Sequence, residues 1–408
     1  MSTVAGWFKA KDPVAINFID QILALYSLNL LTDIEVRDYL LAYLPTIVRN
    51  SVKWKIKQWM PEHLKSLLSS TNLTADQCQS ILYVLADGLL IDTLADLMTH
   101  DASDTFISTA TTITGTNRYR TLNIAPTITL TADGQPNVIL VNKLQNSGTI
   151  AKSATGAAGG APGASGAGAG GAGGGGLIIL AKELYNYGTI SADGATGANG
   201  SQVAASGSGR AGGAGRFAII LGSPGRGGNG GAASKYCVGI GDYNGGGGAG
   251  ASYIYDGGSG GSCTYTTLTA TDLLKAIIDW WLVNVLGKTP TTTKSVPSFY
   301  GSGGGGGAAY DSYAASGGGG GGGGELIIFA SRILNVGTIQ ANGGKGGDGG
   351  SEGTCDSGGG GGGGGFVYVI YITATETGTI TASGGSGGTG DLTGRAGTSG
   401  VAILIPVE

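Results

Sequence analysis

The feature that most constrains this chain is a set of Gly tracts in which Gly returns at every third position. The spacing is plain in 194–200 and again in 343–350, where two such series run side by side. A polyproline-II helix has three residues per turn, so every third residue lies on one edge. An edge of Gly lets two such segments approach and pair N–H with C=O between them. The spacing predicts packed polyglycine-II helices, and a flexible Gly linker stays open as the alternative.

The Gly tracts alternate with apolar segments, and the two together form a repeat. The tripeptide Gly-Thr-Ile begins at residues 148, 188, 337 and 378, with spacings of 40, 149 and 41 residues. An apolar segment with strand character precedes each copy, and VAILIPVE at 401–408 predicts a last strand. A period near 40 residues indicates an array in which each unit buries its apolar face against its neighbours.

Composition divides the chain into three parts. Residues 1–104 contain few Gly and carry apolar residues at helical spacing, which predicts a helical attachment or assembly domain. Residues 105–137 are rich in Thr, Ile and Val and predict a β connector. Residues 138–408 form the Gly-rich repeat domain, with an insertion at about 235–316. The predicted class is α+β: an N-terminal all-α helical domain, then a β-strand repeat domain layered with packed polyglycine-II helices.

The insertion contains a segment, 271–288, that predicts a helix apolar nearly all round. Such a helix is buried or meets a partner, and it is short of the ~20 residues that a membrane span needs. Packing on the repeat domain or a subunit interface is therefore favoured over membrane insertion. The interface candidates are Trp280, Trp281, Leu282 and Val285.

Tyrosines cluster around this segment among Gly and Ser, which is the composition of recognition loops. It is equally the composition of a loop that packs over Gly, and both readings stay open. The candidate receptor contacts are Tyr243, Tyr253, Tyr255 and Tyr300.

Charge and chemistry exclude several classes of function. Lys and Arg number 23 and Asp and Glu 27, so the net charge is 23 − 27 = −4, which gives no global attraction to nucleic acid. The only His residues, His63 and His100, precede the Gly-rich part, which excludes His-based triads and most zinc sites there. We find no catalytic constellation and expect no enzyme activity, cofactor or metal.

Two weaker signals stay open. Asp348, with Glu352 and Asp356, could hold Ca²⁺ in a Gly-rich loop, but solvated turns are favoured because the Ca²⁺-binding nonapeptide repeat is missing. Cys237 and Cys263 could form a disulfide in an oxidising compartment, and the sequence does not decide whether they pair.

The segments Asn186–Ile190 and Asn335–Ile339, with their adjoining Gly tracts, carry a resemblance to a known type. The region 138–408 resembles the Gly-rich repeat proteins found among tail-fibre adhesins of tailed phages and among surface or virion proteins of archaea and their viruses. The resemblance implies packed polyglycine-II helices that carry variable loops for binding the host surface. The long apolar strands and the Trp-bearing helix depart from the adhesins, and residues 1–104 match no family that we can name.

These observations lead to one expectation of function and two alternatives. The expected function is a non-enzymatic virion structural protein, a tail-fibre or spike-type adhesin located in the virion tail or on its surface. Its N-terminal domain would bind other virion proteins and its loops a host-surface polymer or protein, without nucleic acid or a membrane span, in a homo-oligomer for which a trimer fits a fibre. One alternative is a cellular extracellular surface or filament-forming protein, which the absence of a signal-peptide pattern disfavours. The other is a depolymerising tail hydrolase, which needs an acidic pair in a groove.

Overall fold

The computed structural model describes residues 102–154, 168–200, 317–349, 358–390 and 393–406, together with Ile91, Ala95 and Thr99. Those last three residues are helical, and the Thr99 hydroxyl donates to the Ala95 carbonyl at 2.6 Å. The chain divides into two compact units, Met1–Ala102 with Leu268–Val296, and Ser103–Thr267 with Pro297–Glu408. The strands described below all belong to the second unit.

Eleven parallel strands form one sheet in the described part of this unit. They are β1 (Ser103–Ile107), β2 (Thr111–Ile124), β3 (Thr129–Asn146), β4 (Thr149–Lys152), β5 (Gly176–Asn186), β6 (Thr189–Ser191), β7 (Glu325–Asn335), β8 (Thr338–Gln340), β9 (Phe366–Glu376), β10 (Thr379–Thr381) and β11 (Val401–Pro406). Neighbours along the sheet follow the order β10-β8-β6-β4-β3-β5-β7-β9-β11, while β2 pairs with β3 and β1 with β2. The two ends of this path, β10 and β11, contact each other, so the sheet is nearly closed, like a barrel.

Each repeat unit contributes a long strand and a short strand, and the two kinds of strand enclose the core between them. The long strands are β3, β5, β7 and β9, and the short strands are β4, β6, β8 and β10. Ile179 and Ile328 of the long strands pack in one cluster with Ile190 and Ile339 of the short strands, all without exposed surface. Strand β3 joins the two sets, because its beginning pairs with β4 and its end with β5.

The strand register places the repeated segments side by side. Residues that correspond in successive units are paired across the sheet, such as Ile178 with Ile327 and Thr338 with Thr379. Long strands are also buried on the face opposite the core, where Leu180 and Phe329 have no exposed surface. Burial on both faces is usual for parallel strands, and it explains why these segments are continuous apolar runs.

The Gly tracts extend both sets of strands, and we name them by their place in the chain. The trailing tracts, 192–200, 341–349 and 382–389, each follow a short strand. The leading tracts are 168–175, 317–324 and 358–365, which precede the long strands β5, β7 and β9, and 394–400, which precedes β11. Trailing tracts pair with each other in parallel: the N–H groups of Gly194, Gly197 and Gly200 donate to the carbonyls of Asn342, Lys345 and Asp348 at 2.8, 2.8 and 2.9 Å.

Trailing and leading tracts pair with each other in the antiparallel sense. The N–H groups of Gly318, Gly321 and Gly324 donate in turn to the carbonyls of Ala198, Ala195 and Ala192, at 2.9, 2.8 and 2.8 Å. Every third N–H is used each time, which is the pairing between tracts that the Gly spacing predicts. Backbone hydrogen bonds therefore join the two layers of tracts, whereas apolar side chains join the two layers of strands.

Close approach of these backbones explains why Gly is needed. A Cβ on Gly344 would lie 2.0 Å from the carbonyl oxygen of Ala195, and one on Gly321 would lie 1.9 Å from that of Ala172. Neither position can hold a side chain unless the tracts separate. The adjacent Lys345 belongs to the row that points away from the other tracts, where a long side chain is accommodated.

The predicted α+β class with an N-terminal all-α domain is wrong, because the described fold is a nearly closed sheet of parallel strands whose elements include no helix. Parallel strands need a crossover connection, which is usually a helix. Here Gly tracts take that place: between β8 and β9 the described chain consists of the trailing tract 341–349 and the leading tract 358–365. Residues 1–90, on which the helical prediction rests, lie outside the described residues.

Candidate binding surface

The residues that the sequence singles out as contact sites lie outside the described part of the chain. They are Tyr243, Tyr253, Tyr255, Tyr300, Trp280, Trp281, Leu282 and Val285, together with Cys237, Cys263, Glu352 and Asp356. Their roles stay predictions. The surface described below comes from other residues.

A buried ladder of Asn side chains fixes the corner between each long strand and the following short strand. The amide nitrogen of Asn146 donates to the side-chain oxygen of Asn186 at 2.8 Å, and that of Asn186 donates to Asn335 at 2.7 Å. The ladder ends where Asn335 donates to the Thr377 carbonyl at 2.6 Å. All three Asn residues have no exposed surface, so each of these hydrogen bonds replaces one that water would otherwise make.

The Gly of the N-x-G-T-I motif is set by the same corner. A Cβ on Gly188 would lie 1.9 Å from the Gly148 carbonyl oxygen, and one on Gly337 would lie 2.0 Å from that of Gly188. The backbones of successive corners therefore pack too closely for any side chain at this position. Asn, Gly and Ile of the motif are thus explained by packing, since Ile150, Ile190 and Ile339 have no exposed surface, whereas the variable residue after Asn is not fixed in this way.

That variable residue forms a row along the corners of the array. Its members are Ser147, Tyr187 and Val336, with Thr377 at the same place in the last unit, where Glu376 stands instead of Asn. Tyr187 is 48% exposed and Val336 is 54% exposed, and such exposure is unusual for Val, which is most often buried. Their backbones are held in place, because the N–H of Tyr187 donates to Asn146 O at 2.8 Å and that of Val336 to Asn186 O at 2.8 Å. The array therefore displays apolar and aromatic groups at fixed positions.

Beside this row, the ends of the long strands carry charged residues on the face turned away from the core. Lys143, Glu183 and Arg332 are paired across β3, β5 and β7. The Arg332 guanidinium lies 2.6 Å from a Glu183 carboxylate oxygen. Tyr185 donates its hydroxyl to the other Glu183 oxygen at 3.1 Å, and the Lys143 ammonium lies 5.2 Å from the centroid of the Tyr185 ring. The ammonium is thus within the range of a cation–π contact.

The corner row and the charged residues at the ends of the long strands influence each other electrostatically. Burial raises the pKa of Tyr185, and the neighbouring Glu183 and Tyr187 add to the rise while Arg332 opposes it. The Tyr185 hydroxyl therefore keeps its proton at neutral pH and acts as a donor. We call the surface formed by Lys143, Glu183, Tyr185, Tyr187, Arg332 and Val336 the tyrosine platform. It combines an exposed aromatic ring, a second ring beneath an ammonium, and hydrogen-bonding groups of both signs.

Asp348, the described member of the Ca²⁺ alternative, has a structural role in this fold. Its carboxylate accepts the backbone N–H of Thr389 at 2.7 Å and the Lys345 ammonium at 2.9 Å. These bonds lower the pKa of Asp348, the Thr389 N–H having the larger effect. Asn199 and Asn342 do the same for the next tract, accepting the N–H groups of Asp348 and Ser383 at 2.8 and 2.7 Å. Side-chain oxygens on the outward rows thus satisfy N–H groups that have no tract beside them.

A Lys–Ser–Asp cluster at the end of β4 is the nearest approach to catalytic chemistry among the described residues. The Lys152 ammonium donates to the Ser153 hydroxyl at 3.1 Å, and Ser153 donates to Asp133 at 2.6 Å. Lys152 is 3% exposed and also donates to the Ala132 carbonyl at 3.1 Å. Burial lowers the pKa of Lys152 to about 8. The Lys is therefore still mostly protonated at pH 7 and the Ser proton is directed at Asp133, so Lys152 is not placed to act as a base on Ser153.

No family model, curated protein or solved structure matches this chain. In the described ranges, no group of three or more His, Cys, Asp or Glu side chains is placed to hold a metal ion. Within the same ranges, no helix has the length and apolar character to cross a membrane.

The sequence did not lead us to predict the tyrosine platform, although the motif that contains part of it had been recognised. The motif N-x-G-T-I contains Tyr187 at its variable position, and Tyr185 stands two residues before it. A position that varies within an otherwise fixed corner is a signal that packing does not determine it. The partners Lys143 and Arg332 lie on other strands, and only the register of the sheet brings them together.

Proposed function

We propose that this chain is a non-enzymatic structural protein of a virus particle, of the tail-fibre or spike type, which helps to attach the particle to its host. Its described part would be the rigid body that presents contact groups. Residues 1–104 would join it to other virion proteins, and the assembled form would be a homo-oligomer.

The observation that supports this proposal is that exposed corner residues stand on a backbone that hydrogen bonds hold in place in each repeat unit. The Asn ladder and the close-packed Gly of each corner leave little freedom to the backbone that carries Tyr187 and Val336. A preordered surface loses less conformational entropy when it binds. The chain thus has the properties of a scaffold that presents contact residues. The resemblance of its repeats to those of tail-fibre adhesins is the reason for proposing that this scaffold belongs to a virus particle.

Immunogold electron microscopy of the source culture tests the proposal. Antibody against this chain should label the tails, spikes or surface of virus particles. Labelling of cell walls or extracellular filaments, with unlabelled particles, would contradict the proposal and favour a cellular surface or filament protein.

A further inference from the structure

The tyrosine platform has the chemistry of a carbohydrate site. We propose that it binds an uncharged glycan, with a sugar ring stacked against Tyr187 and with sugar hydroxyls bonded to the Tyr185, Glu183 and Arg332 side chains. This inference rests on the proposed attachment function, for which it names the class of ligand.

The first argument is the exposure of an aromatic ring on a fixed backbone. Tyr187 is 48% exposed and its neighbour in the next unit, Val336, is 54% exposed. Adjacent parallel strands lie about 4.8 Å apart, so Tyr187 and Val336 together form an apolar patch that a single sugar ring can cover, with Ser147 and Thr377 on either side of it. The C–H face of a sugar is apolar and its rim is polar, which matches a patch of this kind bordered by charged groups. Tyr serves such contacts well because it offers a flat apolar ring and a polar tip.

The second argument is the balance of charge on this face. Lys143, Arg332 and the partly exposed Lys182 beside Glu183 supply three positive charges. Glu183 and Glu376, which is paired with Leu334 next to Tyr185, supply two negative charges. The sum is 3 − 2 = +1, so positive and negative groups are interspersed and the face lacks the cluster of like charges that selects nucleic acid or an acidic polysaccharide. Donors and acceptors are nevertheless both present, and a sugar hydroxyl can use both at once.

The third argument is that the polar groups are already oriented. Glu183 is held by Arg332 at 2.6 Å and by Tyr185 at 3.1 Å, and Lys143 lies over the Tyr185 ring. A ligand hydroxyl that joins this network finds side chains that have little freedom left to lose.

An array of immobilised neutral and acidic glycans, probed with the full chain, tests the inference. We expect binding to one or more neutral glycans, and the same glycan in solution should be titrated by calorimetry. Tyr187→Ala should weaken that binding at least tenfold. Phe106→Ala is the matched control, since Phe106 is 65% exposed but lies on β1, away from the platform, and this variant should bind as the unchanged protein does. Circular dichroism of both variants establishes that they are folded.

Salt dependence separates the inference from its rivals. The affinity for an uncharged glycan should change by less than about twofold between roughly 50 and 500 mM salt, because its binding releases no counterions. A ligand held by about six or more phosphate contacts would instead lose affinity steeply over the same range. Steep loss of binding with salt, binding confined to acidic glycans, or equal binding by Tyr187→Ala would overturn the inference. The inference would also be overturned if no glycan on the array were bound and the Tyr187→Ala variant still attached to the host.

The two proposals fail in different ways. Gold label on virus particles without glycan binding would overturn the glycan inference and leave the attachment function standing. Neutral-glycan binding lost in Tyr187→Ala, with gold label on cell walls alone, would overturn the virion function and retain the site.

Discussion

Within the described Gly array, the tracts that pack against more neighbouring tracts contain more Gly than the tracts at its edges. All eight residues of 317–324 and all eight of 358–365 are Gly. After Ala341, the trailing tract 341–349 keeps Gly in two rows and places Asn342, Lys345 and Asp348 in the third. The tract 192–200, at the edge of the described part of the array, keeps only Gly194, Gly197 and Gly200, and its other two rows hold Ala and polar residues. Each row that meets another tract needs Gly, and each open row is free to carry side chains.

The comparison teaches that Gly content here measures packing rather than flexibility. Gly normally weakens regular structure because it loses the most conformational freedom on folding. In the interior tracts that loss is offset by backbone hydrogen bonds on several sides, such as Gly344 N to Gly321 O at 2.7 Å and Gly362 N to Gly344 O at 2.9 Å. The tracts richest in Gly are thus among the most constrained parts of the described chain.

The largest expected effect comes from placing a methyl group in the interior. Gly344→Ala should lower the free energy of unfolding by at least about 4 kcal/mol, since its Cβ would lie 2.0 Å from Ala195 O and the tracts would have to part, with loss of several hydrogen bonds. Lys345→Ala, one residue away on the open row, should cost less than about 1 kcal/mol. Urea unfolding of both variants measures the difference. Similar losses of unfolding free energy in the two variants would contradict the distinction between Gly rows and open rows.

A second variant tests the corner, where side-chain hydrogen bonds link successive units as backbone hydrogen bonds link the Gly tracts. Asn186→Ala removes the hydrogen bonds to Asn146 and Asn335 and leaves a buried oxygen of Asn335 without its donor. We expect a loss of about 3 kcal/mol in the free energy of unfolding. Tyr187→Ala, at the exposed next position, is the control and should lose under about 1 kcal/mol. A thermal shift as large in the control would show that the ladder is not the source of stability.

A third test concerns Lys152, which occupies in the first unit the position of the buried Ala192, Ala341 and Ala382 in later units. Burial lowers the pKa of Lys152 to about 8, below its value in the unfolded chain. The unfolded state therefore binds more protons between pH 8 and about 10.5, and stability should rise with pH across that window.

Relative to Lys152→Met, the unchanged protein should gain roughly 2 kcal/mol in the free energy of unfolding from pH 7 to 10.5. Thermal unfolding of both proteins across this range makes the measurement. Parallel pH profiles would mean that Lys152 does not titrate in this window in the folded state.

The smallest expected effect sharpens the comparison at the edge. Ala198 bonds through its backbone to Ala169 and Gly318, but its side chain is exposed, so the position has no need to be Gly. Ala198→Gly should lower stability by about 0.5 kcal/mol, because Gly gives the unfolded chain more freedom. Chemical denaturation should resolve this shift from that of the reverse exchange at Gly344, which is expected to be several times larger. A stabilising effect of Ala198→Gly would contradict the assignment of this row as open.

Much of this fold could be predicted from the sequence, because its rules are local. The period of three gave the pairing of tracts, and the Gly-Thr-Ile spacing gave the units whose residues pair in the sheet. The fold class could not be predicted in the same way. Helical periodicity near the N-terminus led to an α+β assignment, and the joining of two strand layers through β3 depends on a turn at Gly134, with a positive φ of 71°, inside one long strand.

The tyrosine platform lay beyond prediction for a different reason. Tyr185 and Tyr187 are visible in the sequence, but Glu183 and Arg332 are 149 residues apart and meet only because β5 and β7 are neighbours in register. The apolar runs of those strands indicate burial without specifying which residues of each run will share the exposed end. The loop residues favoured from composition, such as Tyr253 and Tyr300, lie outside the described residues.

Amide hydrogen exchange of the full chain, followed by mass spectrometry, tests the central claim that the Gly tracts are an ordered, hydrogen-bonded lattice. The account predicts that 317–324, 341–349 and 358–365 exchange as slowly as strand β7, because their N–H groups are bonded at every turn. Complete exchange of all three tracts at the earliest time, while β7 stays protected, would contradict it.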